Sequence, residues 1–151
     1  MTVAQALHWF DFDKFYYNVK RVGKKDGIIA VWSYEHKINP QIDKFTDRLD
    51  VDGEILGSYR NKEIKYVKEK YKTILFPFKE ISVPAFKTTL YWNLHQLWNY
   101  MQTWSSVKRY YSENKSDPLD LVKSEMKNLW GDELDKREVT WNINIRVGII
   151  K

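Results

Sequence analysis

A chain of 151 residues, 43% hydrophobic and 16% aromatic, is long enough for one ordinary domain with its own core, since folding at this size buries roughly 68–70% of the unfolded surface. The absence of cysteine excludes disulfides, thiolate metal ligands and thiol catalysis, and suits a reducing compartment. Its 25 basic and 20 acidic side chains leave a net charge of +5, but the lysines are scattered among carboxylates as on a solvated surface, and with no basic apolar leader and no apolar run near the roughly 20 residues that span a bilayer, a soluble cytoplasmic protein is expected.

Thr2 to Ala6 is a short apolar stretch suited to the end of a buried strand, set directly against Met1. Asp11 or Asp13 can cap a helix over 12–22, where Phe12, Phe15, Tyr16, Val19 and Val22 keep helical spacing and Gly23 offers a stop. After the turn Lys24 to Gly27, Ile28 to Tyr34 form a nearly unbroken run of apolar β-formers, which predicts a strand covered on both faces. Asn39-Pro40 supplies a cap and a first-turn proline for a second helix carrying Ile42, Phe45 and Leu49, ended by the polar break Asp50 to Gly53. Between Arg60 and Lys72, the spacing of Ile64, Val67 and Tyr71 predicts a third helix lying over a surface. Pro77 and Pro84 punctuate the chain before Phe86 to Trp92, a β-branched and aromatic run that reads as a strand.

Asn93 and Gln96 have the spacing of a capping box, opening a fourth helix with Leu94, Leu97, Trp98 and Met101 on one face and continuing toward Tyr111. Asp117-Pro118 repeats the cap-plus-proline signal for a fifth, with Leu119, Val122, Met126, Leu129 and Trp130 as its stripe and Gly131 as its stop. Val139, Trp141, Ile143, Ile145, Val147 and Ile149 then alternate with Thr140, Asn142, Asn144, Arg146 and Gly148, a period of two that predicts a long terminal strand. Helix followed by covered strand is an α/β pattern. No repeat or low-complexity tract interrupts it, and the polar segment Ser112 to Asp117 separates two helices without dividing the single domain.

The six glycines are dispersed and none forms Gly-x-Gly, so no phosphate or dinucleotide cradle is encoded. His8, His36 and His95 lack the spacings that place ligands on one helical face, and no metal site is expected. Ser105-Ser106 falls in mid-helix, and without a Gly-x-Ser-x-Gly elbow a serine hydrolase is unsupported. The segment Ala4 to Asp11 is different, because it follows a strand and sits at its carboxyl end, where open α/β sheets hold ligands. It also suits a plain turn in which Trp9 and Phe10 plug the core and His8 makes one hydrogen bond.

The run Val3 to Asp13, the helix to Val22, the glycine turn and Gly27 to Tyr34 together resemble class I S-adenosylmethionine-dependent methyltransferases, specifically the trans-aconitate-methyltransferase-like group. The likeness continues through Tyr91 to Leu97 and Thr103 to Ser106 to the terminal strand. Gly23 stands where that family usually has leucine, and Lys25-Asp26 where a proline-glycine turn is common. The resemblance implies the carboxyl-terminal part of a Rossmann-like sheet, with a parallel strand, an antiparallel terminal strand and helical cap segments at 39–76 and 93–131. Family members carry an upstream half with the glycine-rich loop and the acidic residue that holds the cofactor ribose. Neither is in this sequence, so the resemblance implies weak S-adenosylmethionine binding without a complementing half.

By the same resemblance, Gln5, Ala6 and His8 lie against the methionine end of the cofactor and Trp9 walls the reaction pocket. Trp32, Tyr34, Trp104 and Ser105 line the side of a small-molecule acceptor, and Arg109 is placed to hold an acceptor carboxylate. The aromatic residues among them suit the core of a cap equally well. A sheet face and edge bared by the absent strands predict dimerisation or strand exchange. Two further readings are a non-catalytic module for single-stranded nucleic acid and a carrier of an apolar ligand. The tryptophans sit mostly on apolar stripes and not along a basic groove, which disfavours nucleic acid.

Overall fold

A computed structural model describes residues 1–50 and 55–151. Its strands are β1 (Thr2–Ala4), β2 (Ile28–Lys37), β3 (Lys79–Ile81), β4 (Phe86–Trp92) and β5 (Arg137–Ile149). Its α-helices are α1 (Phe12–Val22), α2 (Pro40–Asp50), α3 (Lys65–Lys68), α4 (Leu94–Met101), α5 (Ser105–Asn114) and α6 (Lys123–Trp130), joined in places by short 3₁₀ turns. One open sheet runs in the order β1-β2-β5-β3, with β4 also pairing β5. β1 and β2 are parallel, in a register that sets Val3 opposite Val31 and Ala4 opposite Trp32, while β3 meets β5 antiparallel. The fold is thus the expected mixed α/β sheet with helices.

Local chemistry accounts for the helix ends. Asp11, not Asp13, caps α1 by accepting from the Lys14 N–H at 3.1 Å. The helix stops at Gly23, whose backbone turns extended, and where a Cβ would lie 2.6 Å from the Val19 carbonyl oxygen and 2.8 Å from Ile150 Cδ1. Asn39 Oδ1 accepts from the Ile42 N–H at 2.9 Å and opens α2. That helix is described as far as Asp50, and Val51 to Gly53 of the expected polar break lie outside the described residues. At α4 both halves of the capping box form, each at 3.0 Å.

Four expectations need correction. One face of β2 is fully buried, through Ile29, Val31 and Ser33, while on the other Ala30 and Trp32 are half-buried and Ile28 and Tyr34 exposed; a run of apolar residues does not by itself say how fully each face is covered. The predicted helix between Arg60 and Lys72 reduces to a 3₁₀ turn and the four-residue α3, because Lys70 and Tyr71 turn left-handed (φ 57° and 59°) and bury the Tyr71 ring. The helix expected to run from Leu94 toward Tyr111 breaks at Trp104, whose backbone is extended, so Ser105 and Ser106 open α5 instead of standing in mid-helix. The fifth predicted helix begins as a 3₁₀ turn, Pro118–Val122, capped by Asp117, and becomes α-helical at Lys123. The short strand β3 had no signal in the sequence.

The chain forms two compact units. The first comprises residues 1–35, 62–88 and 141–151, and its core joins Val3, Leu7, Tyr16, Val19, Ile29 and Val31 to Tyr71, Ile74, Phe76, Phe78 and Ile150. The second comprises residues 36–61 and 89–140, with a core of Ile42, Phe45, Leu49, Leu97, Met101, Leu119, Met126 and Trp130. Among the described residues no helix is long and apolar enough to cross a membrane.

Candidate functional site

In the first unit the chain leaves β1 through a turn that regular strand geometry would not give. Gln5 has a left-handed backbone (φ 48°), a conformation that costs a non-glycine residue on the order of 1–3 kcal/mol. Its N–H extends the parallel ladder by one step, donating to the Trp32 carbonyl at 2.8 Å. Its side chain then replaces the next step. Gln5 Oε1 accepts from the Tyr34 N–H at 2.9 Å, and Nε2 faces the Tyr34 carbonyl at 3.5 Å. Gln5, which the resemblance assigns to the cofactor, is therefore brought together with Trp32 and Tyr34, which it assigns to the acceptor. Trp32 is half-buried, and the Tyr34 ring meets Trp141 edge-on at 5.6 Å.

The Ala6 carbonyl accepts from the Trp9 N–H at 3.1 Å, closing the 3₁₀ turn Leu7–Trp9, which buried Leu7 anchors in the core. His8 is buried, with Nδ1 2.8 Å from the Tyr71 hydroxyl. The Trp9 ring lies 4.6 Å from the His8 ring, tilted at 46° to it, yet Trp9 is 47% exposed, and Phe10 is exposed as well, so neither plugs the core. Burial holds the His8 ring below its ordinary pKa despite the opposing pull of the Glu63 carboxylate. Burial likewise pushes the Tyr71 phenol up to about 12, against the backbone N–H groups of His8 and Leu7. At neutral pH the pair is a neutral imidazole and a protonated phenol.

Sequence reasoning placed Tyr71 on a helical stripe and missed its part in this turn. The available signal was chemical: a core tyrosine needs a partner for its hydroxyl, and a nearby histidine can be one. Arg146 was also missed. From β5 it donates through Nη1 to the carbonyls of Tyr71 (2.8 Å) and Ile74 (2.6 Å), pairs with Glu80, and lies 4.7 Å over the Phe76 ring. The guanidinium holds the Glu80 carboxyl below its usual range.

The remaining candidates belong to the second unit. Trp104 is half-buried, its ring 6.2 Å from His36 and 6.0 Å from Tyr100, which in turn lies 5.5 Å from Trp92. Ser105 is exposed at the first position of α5. Arg109 is exposed too, and its Nη2 donates to Asn61 Oδ1. A cleft of about 260 Å³ lined by Leu94, His95, Trp98, Lys123, Lys127 and Glu133 lies elsewhere in this unit. There Glu133 is held below its usual range by the Lys127 ammonium, 2.5 Å away. Among the described residues no group of His, Cys, Asp and Glu side chains could hold a metal ion.

No family model matches the chain. A Dictyostelium discoideum protein named "Putative methyltransferase" is 27% identical over 125 residues, which cover 82% of this chain and 48% of that protein. The chain thus spans about half the length of the curated relative it matches. A solved structure from Anaeromyxobacter dehalogenans, described as that of a "Putative Type II Methyltransferase", matches with a TM-score of 0.82 and 31% identity, over 99% of this chain and 63% of that one. Sequence and fold comparisons both support a methyltransferase family.

Proposed function

We propose that these 151 residues form the acceptor-side portion of an S-adenosylmethionine-dependent methyltransferase of the trans-aconitate-methyltransferase-like kind, acting on a small molecule that carries a carboxylate. The observation that carries this reading is the turn after β1. A strained Gln5 locked onto the Tyr34 backbone and a buried His8 stand at the carboxyl end of two parallel strands, the position at which open α/β sheets bind ligands. The overlap of the whole chain with the bacterial methyltransferase structure supports it.

The residues present fit one end of the cofactor. The Gln5-to-His8 turn offers peptide groups and an imidazole to the methionine portion. No cradle for the adenosyl portion occurs among the described residues: a Cβ at Gly23 would meet Ile150, one at Gly148 would meet Phe76 and Phe78, and Gly57 faces open space. When bound, the cofactor supplies an activated methyl group on a sulfonium. The chain's own contribution is orientation and exclusion of water, which can remove roughly 7–11 kcal/mol of barrier when donor and acceptor are held in line. A carboxylate acceptor is already ionised at neutral pH and needs no general base. In the first unit, Trp9, Trp32 and Tyr34 are assigned to the acceptor side.

Titrating the chain with S-adenosylmethionine tests the proposal. The expected affinity is weaker than about 100 µM, a binding free energy below about 5.5 kcal/mol, with the backbone signals of Gln5, Ala6 and His8 moving in nuclear magnetic resonance spectra. Micromolar binding would show that no complementing half is needed, and silence of those signals at millimolar cofactor would defeat the assignment of the turn.

A further inference from the structure

We infer that Tyr71 is a positioning residue that fixes His8 as the imidazole protonated on Nε2, so that the turn after β1 presents a ligand carboxylate with a hydrogen-bond donor and not a base. The ligand part rests on the function proposed above, and the tautomer part does not. His8 Nδ1 and the Tyr71 oxygen are 2.8 Å apart, and both residues are buried. A phenol has one proton to give and lone pairs to accept with. Among the described residues no other acceptor lies within hydrogen-bond distance of that hydroxyl. The hydroxyl proton is then left with Nδ1 as its acceptor. An Nδ1 that accepts leaves the ring proton on Nε2, and Nε2 has no hydrogen-bond partner among the described residues.

The backbone argues that this contact is more than packing. Tyr71 and the preceding Lys70 are both left-handed, and Arg146 holds the carbonyls of Tyr71 and Ile74 from β5. The chemistry of the proposed site gives a reason. A bare lone pair on Nε2 facing an alkylating sulfonium would be a competing nucleophile, and an imidazolium would repel that cation. A neutral Nε2–H is neither, and it can bind an anionic oxygen. The groups facing His8 are the Tyr71 hydroxyl, the Trp9 ring and, from the 3₁₀ turn Lys62–Ile64, the Glu63 carboxylate.

Long-range ¹H–¹⁵N correlation spectra of the intact chain at pH 7.5 read the tautomer directly. His8 is expected to show a protonated Nε2 and a bare Nδ1, and to keep them below pH 6.5, where an ordinary histidine titrates. Because the folded ring takes up its proton later than the unfolded one, its contribution to stability is full above that value and is lost as pH falls through it. Tyr71→Phe is expected to give a mixture of tautomers, with burial still holding the ring below its ordinary pKa. An Nδ1–H tautomer or an even mixture in the wild type would overturn the inference without help from any variant. For the ligand part, His8→Gln keeps a donor near the Nε2 position and should hold S-adenosylmethionine affinity within about threefold, whereas His8→Asn should lose about tenfold. Equal loss in both overturns the donor role. A wild type that shows the Nε2–H tautomer yet binds no cofactor upholds the positioning role of Tyr71 and counts against the cofactor assignment instead.

Discussion

The first unit is shaped around polar contacts, the second around volume. Of the described non-glycine residues with left-handed backbone, Gln5, Asp26, Lys70 and Tyr71 belong to the first and Lys115 to the second. Lys115 simply terminates α5, as left-handed residues commonly do. Three of those in the first unit hold buried or backbone hydrogen bonds between distant residues, Gln5 to Tyr34, Asp26 to Ile150 and Tyr71 to His8, while Lys70 bonds only to the nearby Val67 carbonyl. The second unit instead interlocks Leu, Met and Trp side chains from capped helices. Strain that packing alone would not demand gathers in the unit that carries the proposed cofactor turn, which is where a departure from local rules is expected when function prescribes geometry.

If volume governs the second unit, the largest single loss should come from its biggest buried side chain. Trp130 is fully buried, its Nε1 donates to the Asp135 carbonyl at 3.1 Å, and the Arg137 guanidinium lies 5.3 Å over its ring. Trp130→Ala should cost about 3–5 kcal/mol, read from urea unfolding. A cost under about 1 kcal/mol would mean that this core collapses without penalty and that the contrast with the first unit is false. The opposite change tests the first unit. A Cβ at Gly148 would stand 2.6 Å from Phe78 Cβ and 2.9 Å from Phe76 Cε1. Gly148→Ala should therefore cost about 1–3 kcal/mol through overpacking. Because Phe76 lies under Arg146, the same substitution should also disturb the His8 signals. Lost stability with an unchanged His8 ring would show that packing and polar positioning are uncoupled there.

What the sequence revealed follows the range of the interaction responsible. The ends of α1, α2 and α4 were legible because each is set by a side chain accepting from an N–H three residues on, and β5 because alternation is intrinsic to a strand. The stretch around Tyr71 misled because Ile64, Val67 and Tyr71 do keep helical spacing, while the bonds that override it come from His8 and Arg146, 63 and 75 residues away. The break at Trp104 was invisible for a related reason: nothing between Leu94 and Tyr111 is glycine or proline. Both departures from the resembled family acquire causes. A leucine at position 23 would collide with Val19 and Ile150, and Asp26 takes the left-handed turn (φ 62°) that a glycine would otherwise fill. The resemblance singled out Gln5 for the cofactor and Trp32 and Tyr34 for the acceptor without joining them, and Tyr71 lay outside it.

The smallest expected effect separates local from distant amide contacts most cleanly. Asn93 and Gln5 do the same chemical task, each offering a side-chain oxygen to a backbone N–H: Asn93 to Gln96 three residues on, Gln5 to Tyr34 twenty-nine residues on. At the exposed start of α4, water can take over when the amide is removed, so Asn93→Ala should cost about 0.5–2 kcal/mol, and Asn93→Ser should restore most of it because a serine oxygen reaches the same N–H. Since the loss is confined to one helix end, the unfolding transition should keep its slope against urea while its midpoint falls. A cost above about 3 kcal/mol, or a serine no better than alanine, would show that the cap is more than a local device. The second unit would then depend on specific polar geometry just as the first does.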